Sequence, residues 1–237
     1  MKVKWLGHAC FMIISETGTK IITDPYTTGG GLTYGEIKES ADIVTVSHDH
    51  TDHNNIAAVR GNPAVVKGAV TVEIKGIKFK GVPTYHDETG GKLRGINTIS
   101  CFEVDGIRVC HLGDLGHRLS DKQIVELGKI DILLLCVGLL VPVGEPRMLP
   151  DKPEPGNYTY DDYIIDANVA NQLYDQLEPG VIVPVHFSNK KCTYKLAGIE
   201  EFLQGKKNVR QPDTSVIEIN RNNLPEDAEI IVLVSAL

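Results

Sequence analysis

The order of apolar and polar residues predicts a strand-rich first half of the chain. Short runs of β-branched and aromatic residues predict strands at residues 3–6, 10–14, 20–23, 42–47, 69–74, 77–83, 98–104 and 107–111. Gly76 and the pair Asp105-Gly106 are suited to the turns between neighbouring strands. The first half is therefore expected to form sheets with short connections.

After Asp114 the apolar period lengthens, and helices are expected to alternate with strands. Ser120 is a suitable N-cap for a helix over residues 121–128. A second helix is predicted over residues 160–177, where apolar residues recur every four positions. The remaining elements are strands at 131–137, 181–185, 216–219 and 230–234, a loop at 149–157 and a helix at 195–203. This alternation predicts an α/β protein, which at this length could be one large domain or two small ones.

Composition narrows the classes of function. The chain has 237 residues, of which 42% are hydrophobic and 23% charged, and a net charge of −7. This acidity argues against binding to long nucleic acids, which needs clustered Lys and Arg. The longest apolar run, residues 132–143, is too short to cross a bilayer. No signal peptide is evident at the N-terminus, so neither a membrane partner nor export is expected, and the predicted location is cytoplasmic.

The five cysteines are scattered along the chain and show no short spacing typical of a metal or redox motif. Most have apolar neighbours, so buried free thiols are expected at Cys10, Cys101, Cys110, Cys136 and Cys192.

Polar residues of the kind that bind metals follow several of the predicted strands directly. Asp24, His48, Asp114 and His186 each come where an apolar run stops. In sheets that carry helices on their faces, binding sites gather at strand ends. The sequence therefore predicts that these four side chains meet in one site.

The densest cluster of chemistry is the run His48-Asp49-His50-Thr51-Asp52-His53. Imidazole and carboxylate are the groups that bind zinc, and catalytic zinc sites keep one position open for water. The spacing of His48 and His50 allows both to reach one ion. Asp52 and His53 can then turn towards a second ion, about 3.5–4 Å away in two-metal sites.

This run resembles the signature His-x-His-x-Asp-His of the metallo-β-lactamase superfamily. The resemblance extends along the chain through Thr23-Asp24-Pro25, the signature, a later His, Gly113-Asp114 and a final His after a strand. With Gly7-His8 near its start, the chain looks most similar to the small, single-domain branch that includes ascorbate-6-phosphate lactonase. The resemblance implies an α/β fold of the four-layer αβ/βα sandwich type, with residues 1–237 in a single domain.

The resemblance also implies a set of ligands. His48 and His50 would bind the first metal together with one further His, and Asp52 and His53 would bind the second with His186. Asp114 would bridge the two ions, and Asp24 would orient ligands from beneath. The third ligand of the first metal is either His86 or His111. His86 is preferred, because residues three apart on a strand point to opposite faces, which separates His111 from Asp114.

The expected function is that of a hydrolase that uses a hydroxide bridging two divalent ions, with Asp52 and Asp114 in catalytic roles. Zinc is the expected metal, although manganese and iron accept the same ligands. The expected substrate is a small anionic ester, lactone or phosphodiester. The alternatives are a nuclease or cyclic-nucleotide phosphodiesterase of the same superfamily, and a non-catalytic binder of metal or ligand. The roles of His8, His117 and Arg118 stay open, as does the oligomeric state, with which a homo-oligomer is compatible.

Overall fold

The computed structural model describes residues 1–138, 167–194 and 196–237. Its strands form two mixed sheets. The first sheet has six strands in the order β13-β1-β2-β3-β4-β5. They are β1 Lys2–Gly7, β2 Cys10–Ile14, β3 Lys20–Thr23, β4 Ile43–Val46, β5 Ala64–Lys67 and β13 Val216–Glu218.

The second sheet has eight strands in the order β12-β14-β11-β10-β9-β8-β7-β6. They are β6 Thr71–Ile74, β7 Ile77–Tyr85, β8 Ile96–Val104, β9 Ile107–His111, β10 Ile132–Cys136, β11 Val181–Val185, β12 Val209–Arg210 and β14 Glu229–Ile231. β10 and β11 are parallel and buried along their whole length, as their continuous apolar sequences predicted.

Three α-helices lie in the described residues: α1 Asp121–Leu127, α2 Ala167–Leu177 and α3 Glu200–Leu203. Ser120 caps α1 as predicted, and it forms a capping box with Gln123. In α2 the predicted apolar face is buried at Val169, Leu173 and Leu177. One cluster of buried apolar side chains extends through both sheets. These two sheets and their short helices confirm the predicted α/β class.

In each sheet, three of the strands that precede predicted site residues run in the same direction. In the first sheet β1, β3 and β4 run in the same direction, because β2 is antiparallel to both β1 and β3. In the second sheet β7, β9 and β11 likewise share one direction. The loops that follow these six strands therefore leave each sheet at a single edge, three loops in each sheet.

Several predicted boundaries need correction. The edge strands β5 and β12 were not predicted, because four and two residues are too few for a period of apolar positions to be recognised. The helix expected at 195–203 is helical only over Glu200–Leu203. The preceding segment is instead held to a neighbouring loop, where Ser188 N donates to Ala197 O at 2.9 Å. The predicted loop at 149–157, and residues 160–166 of the predicted second helix, lie outside the described residues.

The prediction that all five cysteines are free thiols is wrong for two of them. Cys101 and Cys110 form a disulfide across the β8–β9 hairpin, where the strand register places them directly opposite each other. The predicted turn at Asp105-Gly106 already implies this pairing, since both cysteines are close to equidistant from it. Cys10, Cys136 and Cys192 are buried free thiols, as expected.

No helix in the described part of the chain is both long and apolar enough to cross a membrane.

Candidate metal centre

The histidine-rich loop follows β4, and its first and second histidines face a histidine from the other sheet. His48 Nε2 lies 3.0 Å from His50 Nδ1. The ring of His86, which follows β7, is centred 4.9 Å from the rings of both His48 and His50. One nitrogen of each imidazole lies within 4.8 Å of the others, an arrangement that could hold a metal ion. We call His48, His50 and His86 the first cluster.

A second group of possible ligands lies beside the first. One donor atom from each of four side chains lies within 4.8 Å of the others: His8, Asp52, His53 and His186. His53 and His186 follow β4 and β11, so this group also joins the two sheets. We call these four residues the second cluster.

Asp114 lies between the two clusters. Its Oδ2 is 3.8 Å from His48 Nε2 and 3.2 Å from His86 Nε2 in the first cluster. The same oxygen is 3.2 Å from His53 Nε2 and 3.4 Å from His186 Nε2 in the second. One buried carboxylate oxygen therefore faces four imidazole nitrogens.

The backbone before Asp114 explains how it reaches this position. Gly113 has a φ of +57°, and a Cβ on it would lie 2.4 Å from the Oδ1 of Asn97. Only glycine fits this turn without strain. The same Asn97 oxygen accepts a hydrogen bond from Asp114 N at 3.1 Å. The chain thus turns sharply after β9 and directs the carboxylate inward.

Asp24 lies beneath both clusters and is fully buried. Its Oδ2 accepts hydrogen bonds from His53 Nδ1, at 2.9 Å, and from the hydroxyl of Ser47. Because the Ser47 hydroxyl donates to Asp24, it accepts from His48 Nδ1, which lies 2.9 Å away. A proton at Nδ1 leaves the Nε2 lone pair of His48 directed at the centre, and the bond to Asp24 orients the His53 ring, as in metal sites whose ligands are oriented by outer carboxylates.

The structure separates His86 from His111. His111 Nε2 donates to the Ala9 carbonyl at 2.9 Å, and its Nδ1 lies 3.7 Å from Asp24 Oδ2. It belongs to neither cluster. The argument from strand faces does not apply here, because β9 ends at His111 and the chain turns before Asp114. The hydrogen bond from His111 to Ala9, in the turn of the opposite sheet, keeps this side chain out of both clusters.

His117 and Arg118 lie outside the clusters. His117 Nε2 accepts from Tyr85 N at 3.1 Å, and its Nδ1 donates to the carbonyl of Arg118 at 2.7 Å. Both ring nitrogens are thus used in fixing the local backbone. The two residues line an open cleft of about 490 Å³ next to the loop that carries His86, together with Tyr85 and Asp87.

Burial and charge set the protonation states in the centre. Burial lowers the pKa of His48 well below its ordinary value and that of His186 to about 3, so both are neutral at pH 7. Neutral imidazole is the form that binds metal. Burial would also lower the pKa of His53, but the carboxylates of Asp114 and Asp52 raise it well above the ordinary value. Burial would raise the pKa of Asp114, yet His186 and His53 hold it well below the usual range.

Comparison with known proteins agrees with this arrangement. The family described as the beta-lactamase superfamily domain matches residues 2–186 of the chain. The chain belongs to this superfamily. Its relatives are metal-dependent hydrolases, and so is this protein. The predicted metallo-β-lactamase fold is confirmed.

Three similar proteins illustrate the relationship. A candidate zinc-dependent hydrolase of the superfamily from Thermotoga maritima is 32% identical, has a TM-score of 0.73 and covers 98% of this chain and 97% of its own. A metal-dependent hydrolase from Thermococcus onnurineus is 26% identical over 214 residues, 79% of this chain and 85% of the relative. An isothiocyanate hydrolase from gut bacteria of Delia radicum, 17% identical with a TM-score of 0.59 and covering 86% and 90% of the two chains, shares the fold alone.

Two residues near the centre of the hydrolase were not assigned from its sequence. The sequence leaves the role of His8 open, and the structure places it, buried, in the second cluster. Ser47 was treated only as the end of a strand. Ser47 could have been noticed, because a hydroxyl directly before the histidine signature can bond to the first histidine. For His8 the only signal was the Gly7-His8 pair.

Proposed function

We propose that this protein hydrolyses a small anionic ester, lactone or phosphodiester with two divalent metal ions. The first cluster would hold one ion. Asp52, His53 and His186 would hold the other, and Asp114 would contact both. The observation that carries the proposal is that Asp114 Oδ2 lies within 3.2–3.8 Å of two imidazole nitrogens from each cluster.

The donor atoms are better suited to binding metal ions than to forming hydrogen bonds with one another. His53 Nε2 and Asp114 Oδ1 are buried and make no hydrogen bond within the described residues. Unsatisfied polar atoms in a protein interior are costly and call for an explanation, such as an ion. His48 and His186 are held neutral by burial, which suits them to coordination. Zinc is the expected metal, and manganese or iron also suits mixed imidazole and carboxylate ligands.

Bound divalent ions would lower the pKa of water towards neutrality and polarise the bond to be broken. The chain itself supplies proton handling. Asp114 Oδ1 can accept a proton from the attacking water and pass it to the leaving group, since no described residue occupies this oxygen. Asp52 and Asp114 are the carboxylates we place in catalysis.

Charge supports an anionic substrate of small size. Two divalent ions would outweigh the charges of Asp52 and Asp114, so the centre would be positive in a chain of net charge −7. The acidic remainder disfavours long nucleic acids. The resemblance to ascorbate-6-phosphate lactonase makes phosphorylated lactones natural first substrates, and we expect the enzyme to act in the cytoplasm.

The experiment is a substrate panel run on protein that has been stripped of metal and then reloaded. Lactones, phosphorylated lactones, aryl esters, aryl phosphodiesters and cyclic nucleotides would be tested with Zn²⁺, Mn²⁺ or Fe²⁺. We expect turnover to disappear with chelator and to return with metal. His48→Ala and His186→Ala should each lower both metal content and turnover.

His117→Ala is the matched control, because this histidine belongs to neither cluster and should leave metal content unchanged. Turnover in a demonstrably metal-free protein would contradict the proposal. Two bound ions with no turnover on any substrate would favour the non-catalytic alternative, and activity confined to nucleotides would favour the phosphodiesterase alternative.

A further inference from the structure

The turn between β1 and β2 has an unusual backbone at His8. Its φ is +50°, a left-handed conformation that non-glycine residues rarely adopt. The strand register also shifts between Trp5 and Gly7. Such conformations persist only where the surroundings hold them, and they gather at functional sites.

Hydrogen bonds from both sheets hold this turn. The Trp5 indole nitrogen donates to the His8 carbonyl at 2.9 Å. The next carbonyl, that of Ala9, accepts from His111 Nε2 at 2.9 Å and from the Thr23 hydroxyl at 3.2 Å. His111 therefore has a structural use, since it ties the His8 turn to the second sheet.

The constrained turn directs the His8 ring into the second cluster. The side chain is fully buried, and its ring is centred 4.1 Å from that of His186. His8 Nε2 lies 3.1 Å from Asp52 Oδ2, closer than the 3.6 Å that separates this oxygen from His53 Nε2. Asp52 is itself partly exposed, on the loop after β4. Without a fixed partner its carboxylate could rotate away from the cluster.

We propose that His8 is a positioning residue for the second cluster. Its Nε2–H donates to Asp52 Oδ2 and holds that carboxylate in the orientation that coordination requires. The inference rests on the proposed two-metal function, which it deepens by giving the second ion a positioning residue of its own. Partners of this kind typically change metal affinity by about 10–100-fold when removed.

Two substitutions separate the hydrogen bond from the rest of the ring. His8→Asn keeps a residue that tolerates the left-handed backbone, but its side chain is too short to reach Asp52. His8→Gln places an amide donor close to the position of His8 Nε2. Metal-free protein would be titrated with Zn²⁺ against a chromophoric chelator, which reports the affinity of each ion without any substrate.

We expect wild-type protein to bind two ions. His8→Asn should weaken the second ion by about 10–100-fold and leave the first unchanged, as for other partners that orient a ligand. His8→Gln should bind both ions within a few-fold of wild type. Circular dichroism of the metal-free proteins would verify the fold, with His117→Asn as the matched histidine control.

Three results would overturn the proposal. One is wild-type affinity for both ions in His8→Asn. Another is a folded His8→Gln that is as weak as His8→Asn, which would show that the imidazole itself coordinates metal; if His8→Asn does not fold, His8→Gln alone decides. The third is wild-type protein that binds fewer than two ions, which would remove the two-metal function as well and is recognised without any variant.

Discussion

The two clusters of the centre differ in composition and in origin. The first cluster consists of three imidazoles, and residues 48 to 86 supply all of it. The second contains a carboxylate, and it joins residues from position 8 to position 186. The first can form once one loop and one strand of the other sheet meet. The second needs the N-terminal turn, the loop after β4 and the end of β11 in place together.

The two clusters also differ in the charge that their ligands carry. Burial lowers the pKa of both His48 and His50, which favours their neutral forms, and the one carboxylate that the first cluster faces is the shared Asp114. The second cluster has Asp52 in addition, whose pKa lies well below the usual range because His53 and His8 outweigh the effect of burial. Carboxylate ligands suit harder ions than imidazole alone does. We therefore expect the two positions to differ in affinity, and the following substitutions test how far they are independent.

Removing the charge that the clusters share should have the largest effect. Asp114→Asn keeps the shape of the side chain but places a neutral amide among four imidazole nitrogens. We expect both ions to bind more weakly and turnover to fall by roughly 10³-fold, the upper end of the loss seen when one group that stabilises charge in the transition state is removed. Metal content after dialysis and kcat on the substrate found would measure this. Asp121→Asn, at the start of α1, is a control on the surface; loss of only one ion in Asp114→Asn would show that Asp114 serves one cluster.

Substitutions of the residues beneath the centre should affect metal affinity less than Asp114→Asn does, and should distinguish the two clusters. Asp24→Asn disturbs His53 directly and His48 through Ser47, so we expect both ions to weaken by about 10–100-fold. Ser47→Ala removes only the link to His48 and keeps the backbone bond from Ser47 N to Asp24 Oδ1, which is 2.8 Å long. It should weaken the first ion alone. Zn²⁺ titration would test this. An equal effect of Ser47→Ala on both ions would contradict a link from Asp24 through Ser47 that serves His48 alone.

The same contrast explains what the sequence could predict. The first-cluster residues His48 and His50 lie in one short motif, and the strands before and after it have clear patterns. The α/β class and most strands were predictable for the same reason, because local periodicity records which face of each strand is buried. The ends of apolar runs indicated Asp114 and His186, and the likeness to a known superfamily supplied their expected roles as ligands.

What the sequence could not predict depends on contacts between distant segments. His8 gains its place from hydrogen bonds that Trp5 and His111 make to its turn, and no pattern in the sequence links these three residues. His111 is a possible ligand by its place in the sequence, and its hydrogen bond to Ala9 becomes visible only in the structure. The short strand β5 likewise depends on its pairing with β4 rather than on local composition.

The smallest expected effects come from two glycines that touch the backbone of one cluster each. A Cβ at Gly116 would lie 2.3 Å from the carbonyl carbon of His86, and one at Gly138 would lie 2.2 Å from the carbonyl oxygen of His186. Backbone cannot yield as a flexible side chain does, so each alanine should displace its neighbouring histidine at a cost of about 1–3 kcal/mol of stability.

Gly116→Ala is therefore expected to weaken the first ion by a few-fold and Gly138→Ala the second, with Zn²⁺ titration and thermal unfolding as the measurements. Gly35→Ala is the control, because its Cβ would meet Leu237 at an ordinary 3.4 Å. Opposite selectivity in the two variants would establish that the ends of β7 and β11, both in the second sheet, position different parts of the centre. If both variants weakened both ions equally, the clusters would have to be regarded as one rigid unit joined through Asp114, and the contrast between them would concern sequence origin only.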